Sequence, residues 1–450
     1  MKILRGAYIT ESLNQLQTLL DKHLNDSENK IYGFNEPQLS IGGVRLPPYL
    51  ETLGIFTIGS PGTGKSQAIT ALIKQIRQRS DFRLVCFDRN GEFTQKFYQE
   101  DKDLLFNPTD KRSVKWCHTA EPLRHETISA GIVPEDNNKD KFWVYSARAL
   151  LSDIYSRCKN NAEVWASISK LNMEELEILL KETPSVKTFG AEKTISSIIA
   201  TLTPYSRFYR ELPNKGNFSF YEWALDGKQS LFLPLFEDSV EIYKPLYTVI
   251  FELILKGILS NNRTLKTAVV IDELGALNRL ESLPRLLSEG RKFKVCPILG
   301  TQTEAQILKT YGEYETRIIL QGLATKLILN CRDPKTATTM SEIIGKQERF
   351  EEVDNKNYSQ SSNIRETYAV LPTELQYLPQ LTGYLSFSNE VGVGKVQINP
   401  QDFFNYTSAF IPRQKLNDKR FDKAKQNLVE RYSIQPKQKT LSANTFEGLF

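Results

Sequence analysis

No apolar run in this chain reaches the length of a membrane-spanning helix. The richest, Tyr247 to Leu259, is interrupted by Glu252 and Lys256 and reads as a buried helix. The first twenty residues carry Lys2, Arg5 and Glu11 and have no apolar centre, which is not the pattern of a signal peptide. Cysteine is sparse: the five residues at 86, 117, 158, 296 and 331 form no C-x-x-C pair. That excludes a disulfide framework and fits reduced thiols in a soluble, cytosolic protein. His118 and His125 lie near Cys117, but their spacing fits no usual zinc site. An excess of one charge is also missing, with 58 Lys+Arg against 53 Asp+Glu and a net charge of +5. Residues 413 to 439 hold nine Lys/Arg against three acids, so the remainder is close to neutral. This basic tail is expected to tether nucleic acid or an acidic membrane surface.

What is present is a complete phosphate-binding loop, Gly59-Ser60-Pro61-Gly62-Thr63-Gly64-Lys65-Ser66. An apolar run, Gly54 to Ile58, precedes it as a strand. The segment Gln67 to Arg79 follows as a helix, with Ile69, Leu72, Ile73 and Ile76 on one face. Glycines let successive backbone N–H groups curl around a polyphosphate, and the following helix points its positive end at the same anion. Lys65 can reach the outer phosphates, and the Ser66 hydroxyl can take a place on Mg²⁺. The expected ligands are ATP and Mg²⁺.

At 450 residues the chain can hold two or three domains, or one core with a large insertion. Residues 1–38 read as an N-terminal arm, with Thr10 capping a helix and Asn25 to Asn29 breaking it. Strand and helix patterns alternate over 39–112 and again over 211–412, which predicts an α/β domain with a parallel sheet. Between them, residues 113–210 show only helical stripes and read as an inserted all-α domain. One stripe is Ile195, Ile198, Ile199 and Leu202; another is Phe142, Tyr145, Ala149 and Leu150. Such stripes are read as core. Asn172 with Glu175 resembles a helix N-cap arrangement. The polar stretch Asp354 to Arg365 reads as a mobile loop, and 413–450 as the basic tail.

Thr267 to Ile271 is a buried strand ending in Asp272 and Glu273. Behind a phosphate loop, Asp272 is assigned to Mg²⁺ through water and Glu273 to the attacking water. The same pattern also fits a core strand whose last Asp caps the next helix. Pro297 to Thr301 is a further strand, ending beside Gln302, which is placed to sense the γ-phosphate or position water. Arg291, in Gly290-Arg291-Lys292, fits two roles on spacing alone. It can complement a helix C-terminus, or reach a neighbouring subunit's nucleotide.

The phosphate loop, the Val-Ile-Asp272-Glu273-Leu274 strand, Gly290-Arg291-Lys292 and Gly300-Thr301-Gln302 occur in a telling order. Gln306 and Tyr311-Gly312 follow. Together they resemble the type IV secretion coupling proteins of the TrwB/TraD kind. Arg5-Gly6-Ala7, Ile41 to Val44, Asp88-x-Asn90-Gly91-Glu92, Asn107 to Asp110, Arg332-Asp333-Pro334 and Leu378 to Tyr384 extend the likeness over residues 3 to 412. The resemblance implies a RecA-like P-loop NTPase domain with an inserted all-α domain. It implies a DNA-dependent ATPase that assembles as a homohexamer and moves low-specificity, single-stranded DNA from relaxase and relaxosome to the secretion channel. It also implies that Arg291 acts in trans. Family members carry two N-terminal membrane helices, and this sequence starts near where those end. That start fits either a naturally soluble relative or a chain downstream of such an anchor, and the expected place is the cytoplasm, at the cytoplasmic face of the bacterial inner membrane. A HerA/FtsK-like ring motor and a substrate-recruiting adaptor are the competing readings; the helical insertion argues against the first.

Overall fold

In the computed structural model, residues 2–10, 12–22, 37–135, 140–261, 265–353, 361–387, 392–400 and 402–434 are described. The chain forms two units, 1–115 with 218–414 and 116–217 with 415–450. The helix break at Asn25 to Asn29, residues 354–360 and residues 435–450 lie outside the described residues.

The first unit carries the strands β1 (Lys2–Gly6), β2 (Ser40–Ile41), β3 (Val44–Arg45), β4 (Ile55–Ile58) and β5 (Phe82–Arg89). It continues with β6 (Leu104–Leu105), β7 (Leu231–Leu235), β8 (Lys266–Ile271), β9 (Val295–Thr301) and β10 (Thr325–Ile328). The last four are β11 (Lys346–Val353), β12 (Ser361–Tyr368), β13 (Thr382–Phe387) and β14 (Val393–Gln397). Nine of them form one sheet in the order β14-β13-β10-β4-β9-β8-β5-β7-β6. The run from β10 to β6 is parallel, and β13 and β14 add antiparallel at one edge. Every residue of β4, β8 and β9 is buried, as expected where helices cover both faces of a parallel sheet. The chain leaves the sheet after β6 and rejoins it at β7, and Phe218 N donates to Lys115 O where the excursion closes.

The arm belongs to this unit. β1 pairs antiparallel with β11, Thr10 N donates to Val393 O, and the Leu13–Lys22 helix buries Leu16 and Leu20. Part of the expected mobile loop is regular structure instead. Residues 361–365 lie in β12, which pairs with β11 along its length. Alternation of polar residues there conceals a two-stranded ladder whose register is set by β11.

The second unit is helical, with helices Lys141–Arg157, Asn161–Ser169, Met173–Leu179, Glu192–Ser206 and Lys419–Tyr432 among its elements. Asp140, Asn160 and Asn172 cap three of these, and Asn172 with Glu175 makes a full capping box. On the Glu192–Ser206 helix Ile195, Ile198 and Leu202 are buried, which is one of the expected stripes. The other stripe is corrected. Phe142 is 52% and Tyr145 48% exposed, while Val144, Ala147, Leu150, Leu151 and Ile154 form the buried face. Tyr145 finds polar partners outside, its hydroxyl on Glu135 and Arg148 over its ring.

The basic stretch expected as a tail is also corrected: through Ile434 it is folded. Phe421, Ala424 and Leu428 point inward at helical spacing, and three of the cations are engaged within the unit. Arg420 donates to Leu212 O and Asn214, Lys425 to Glu175, and Arg431 to both carboxylate oxygens of Glu163 at 2.8 Å. Burial raises the Glu163 pKa, but Arg431 and the Lys159 N–H outweigh that and hold it below the usual range. Arg431→Ala leaves this carboxylate buried without its cation, and an expected loss of about 3 kcal/mol follows. Denaturant unfolding of the purified variant measures it. A change within about 0.5 kcal/mol, as for an idle surface charge, refutes the assignment.

His118 supplies a second stability test. Its ring is fully buried, stacks on Tyr155, and its Nε2 donates to Cys158 O at 3.1 Å. Desolvation, with His125 adding, pushes its pKa down to about 4. The folded state therefore keeps the ring neutral while the unfolded chain takes up a proton below about pH 6.5. Stability is complete above that value and falls by about 3 kcal/mol as pH drops to 4. His118→Gln should flatten melting temperature against pH across that window; an unchanged slope would remove His118 as the cause.

Candidate functional site

β4 delivers the chain into the glycine loop at the C-terminal edge of the parallel strands. Ser60 N donates to Asn330 O, Thr63 Oγ1 to Ser60 O at 2.7 Å, and Leu381 N to Thr63 O. Gly62 and Gly64 sit at φ of +77° and +113°, where a side chain is strained. A Cβ on Gly64 would also meet Leu381 Cδ2 at 2.8 Å. The N–H groups of Gly62, Gly64, Lys65 and Ser66 make no backbone hydrogen bond among the described residues. Held this way at the start of the Lys65–Arg77 helix, they are a ready anion cradle.

The cradle opens on a cleft of about 660 Å³ lined by Ser60, Pro61, Gly62, Gly64, Lys65 and Ser66. Asp272, Glu273 and Gln302 line the same cleft. The sheet order explains the meeting: β9 lies between β4 and β8, so Gln302 emerges between the loop and the acids. Lys65 is buried with its Nζ 3.3 Å from Glu273 Oε2. Desolvation raises the Asp272 pKa to about 6, opposed by Lys65 and reinforced by Glu273. Asp272 Oδ1 and Glu273 Oε1 are buried with no hydrogen-bond partner among the described residues. Buried carboxylate oxygens without donors are what a bound cation and its waters satisfy. Gln306 Oε1 accepts from Thr301 Oγ1, Gln302 N and Thr303 N, fixing the turn that presents Gln302. Gly300 is required there, since a Cβ would lie 2.2 Å from Asp272 O.

Of the expected site residues, Gly59 and Thr63 support the loop from behind without lining the cleft, and Arg291 lies away from it altogether. It sits in the Gly290–Phe293 turn before β9, whereas the cleft lies past the other end of that strand. The length of β9 separates them by about 20 Å.

Sequence reasoning assigned no role to several other cleft residues. Arg89, Asn90, Glu92, Glu237, Gln380 and Leu381 all line it. Arg89 ion-pairs with Glu237, and Asn90 Oδ1 accepts from Glu237 N. Asp88 is fully buried below them and accepts from Thr94 N at 2.6 Å. Burial, with Asp272 adding, pushes its pKa to about 7 against the pull of Thr94. The available signal was the polar end of β5, which pairs in register with β8, Phe87 opposite Ile271. Gln380 and Leu381 carry no local signal.

Comparison with known proteins agrees in fold and sequence. Residues 38–399 match the family profile described as the type IV secretion-system coupling protein DNA-binding domain. Coupling protein TraD of Escherichia coli (strain K12) is 25% identical over 438 residues, 91% of this chain and 60% of TraD. The type IV secretion system-coupling protein VirD4 of Bartonella henselae is 22% identical over 347 residues, 69% of this chain and 53% of VirD4. The chain thus spans a little over half the length of these relatives. The unbound form of the bacterial conjugative coupling protein TrwBdeltaN70 superposes with a TM-score of 0.80 at 25% identity, covering 92% of this chain and 97% of that one. The plasmid coupling protein TrwB in complex with ADP and Mg²⁺ gives 0.79 at 25% identity, over 92% and 98%. With the RecA-like sheet and helical insertion already described, this chain belongs to the type IV secretion-system coupling protein family.

Proposed function

We propose that the chain is an ATPase that couples nucleotide hydrolysis to DNA transfer through a type IV secretion channel. The observation that carries this is the cleft itself, where open loop amides face two acids with unpaired buried oxygens. The TrwB complexes with ADP and Mg²⁺ and with an ATP analogue support the same ligands here. Residues Gly59 to Ser66 hold the phosphates, with Lys65 on the outermost. Ser66 and Asp272 hold Mg²⁺, which neutralises charge on the phosphate oxygens. Lys65, 3.3 Å from Glu273, is placed to exchange that carboxylate for a phosphate oxygen. The exchange frees Glu273 to polarise water, while Gln302 addresses the γ-phosphate. Arg291 serves a neighbouring subunit in a homohexamer. The partners are DNA, relaxase and channel components, at the cytoplasmic face of the inner membrane. Among the described residues no helix is long and apolar enough to cross a membrane.

The test is steady-state ATP turnover by the purified chain, with and without single- and double-stranded DNA at fixed salt. Turnover that DNA stimulates is the expected result. ATP binding without turnover, with or without DNA, makes the chain an adaptor and overturns the motor reading.

A further inference from the structure

The Lys65–Arg77 helix starts at the phosphate loop and ends, about 20 Å away, at a second pocket. That pocket lies at the N-terminal ends of β5 and β7, beside Phe82 and Ser230, and encloses about 520 Å³. Among the described residues six cations line it, Lys74, Arg77, Arg79, Lys96, Lys102 and Lys228, against one acid, Asp103. Three are already paired, Arg77 with Asp103, Arg79 with Glu51 and Asp81, and Lys96 with Glu92. Lys102 and Lys228 have no ion pair among the described residues. Cations at a helix C-terminus are common and account for Lys74 and Arg77. They do not account for Lys102 and Lys228, which come from other segments.

Of the aromatic lining, Phe82 and Phe97 belong to the core and Phe403 packs against it, which leaves Tyr406. Phe403 stacks edge-on with Phe97 and carries the ammonium groups of Lys74 and Lys96 over its ring at 5.3 and 5.6 Å. Tyr406 lines the same pocket with 74% of its surface exposed. Its position is fixed, because Tyr406 N and Thr407 N both donate to Gln95 O. An exposed ring on an anchored backbone, in a pocket lined by lysines, is a stacking platform beside a phosphate track.

We propose that this pocket grips single-stranded nucleic acid, with phosphates on Lys102 and Lys228 and a base stacked on Tyr406. The proposal rests on the DNA-coupling function and locates one of its contacts. A duplex is disfavoured because its bases are stacked on both sides and cannot offer a face to Tyr406. The pocket takes one or two nucleotides, so the contact is one point along a longer track.

The experiment uses the full chain, a fluorescent oligothymidylate and an abasic strand of equal length, with anisotropy followed across sodium chloride concentrations. Lys102→Ala/Lys228→Ala should flatten the salt slope on both strands by about 1.4, two phosphates' worth for a single strand. Tyr406→Ala should weaken oligothymidylate binding roughly tenfold and leave the abasic strand unaffected. All three side chains are exposed, so melting curves should match wild type. Wild-type binding that neither variant alters overturns this pocket while leaving the DNA-coupling function standing. Equal weakening of both strands by Tyr406→Ala overturns the stacking contact. A wild-type chain that binds neither strand refutes the DNA function itself, and this proposal with it.

Discussion

Lys65→Ala and Asp272→Ala should each lower ATP turnover by about 10³ or more, and move stability in opposite directions. Both changes remove a charge that lines the same cleft. Their surroundings differ. Lys65 is the cation 3.3 Å from a buried Glu273 carboxylate, and its loss leaves that carboxylate uncompensated. A melting temperature below wild type is expected. Asp272 is held in its ionised form against desolvation and the like charge of Glu273, which is why its pKa rises to about 6. Removing it relieves both penalties, so in metal-free buffer Asp272→Ala should melt at or above the wild-type temperature. The paired result separates a functional defect from a folding defect, because only function predicts that a stabilised variant is inactive. Near-wild-type turnover in either purified variant would rule out the site. Stability shifts of the same sign would rule out this electrostatic account of it.

The centre of the site was legible because its signals are local. A strand, six loop residues and a helix carry the phosphate loop, and one buried strand ending in Asp272-Glu273 carries the acids. Gln302 followed from the strand rule, as the first polar side chain past a buried β9. What escaped depends on pairing between distant segments. Leu381 packs on Gly64, and β1 finds β11 across more than three hundred residues; neither leaves a local trace. Two errors have the same physical root, amphipathic helices read from their more visible half. Phe142 and Tyr145 drew the eye as large apolar groups, though the smaller Val144 and Ala147 mark the buried face. In 413–439 the charges hid Phe421, Ala424 and Leu428, whose spacing marks a packed helix.

Arg291→Ala is expected to bind ATP normally yet hydrolyse it about 10³ to 10⁵ times more slowly, the contribution of a guanidinium at developing phosphoryl charge. Within its own chain Arg291 is too far from the loop to act: it lies in the Gly290–Phe293 turn ahead of β9, and the cleft lies beyond the strand's other end. A catalytic role therefore requires a second chain, and the defect should be repairable by one. Lys65→Ala lacks the phosphate contact but keeps Arg291. In rings formed from both variants, some interfaces unite an intact loop from one chain with an intact arginine from the next. Activity above the sum of the separate parents is the expected outcome when subunits exchange. Wild-type specific activity should also rise with protein concentration across the assembly range. If mixed rings form and no activity returns, Arg291 belongs to the structure of its own turn. In that case the Gly290–Phe293 segment would be holding the approach to β9, and Arg291→Ala should lower melting temperature without a selective loss of turnover.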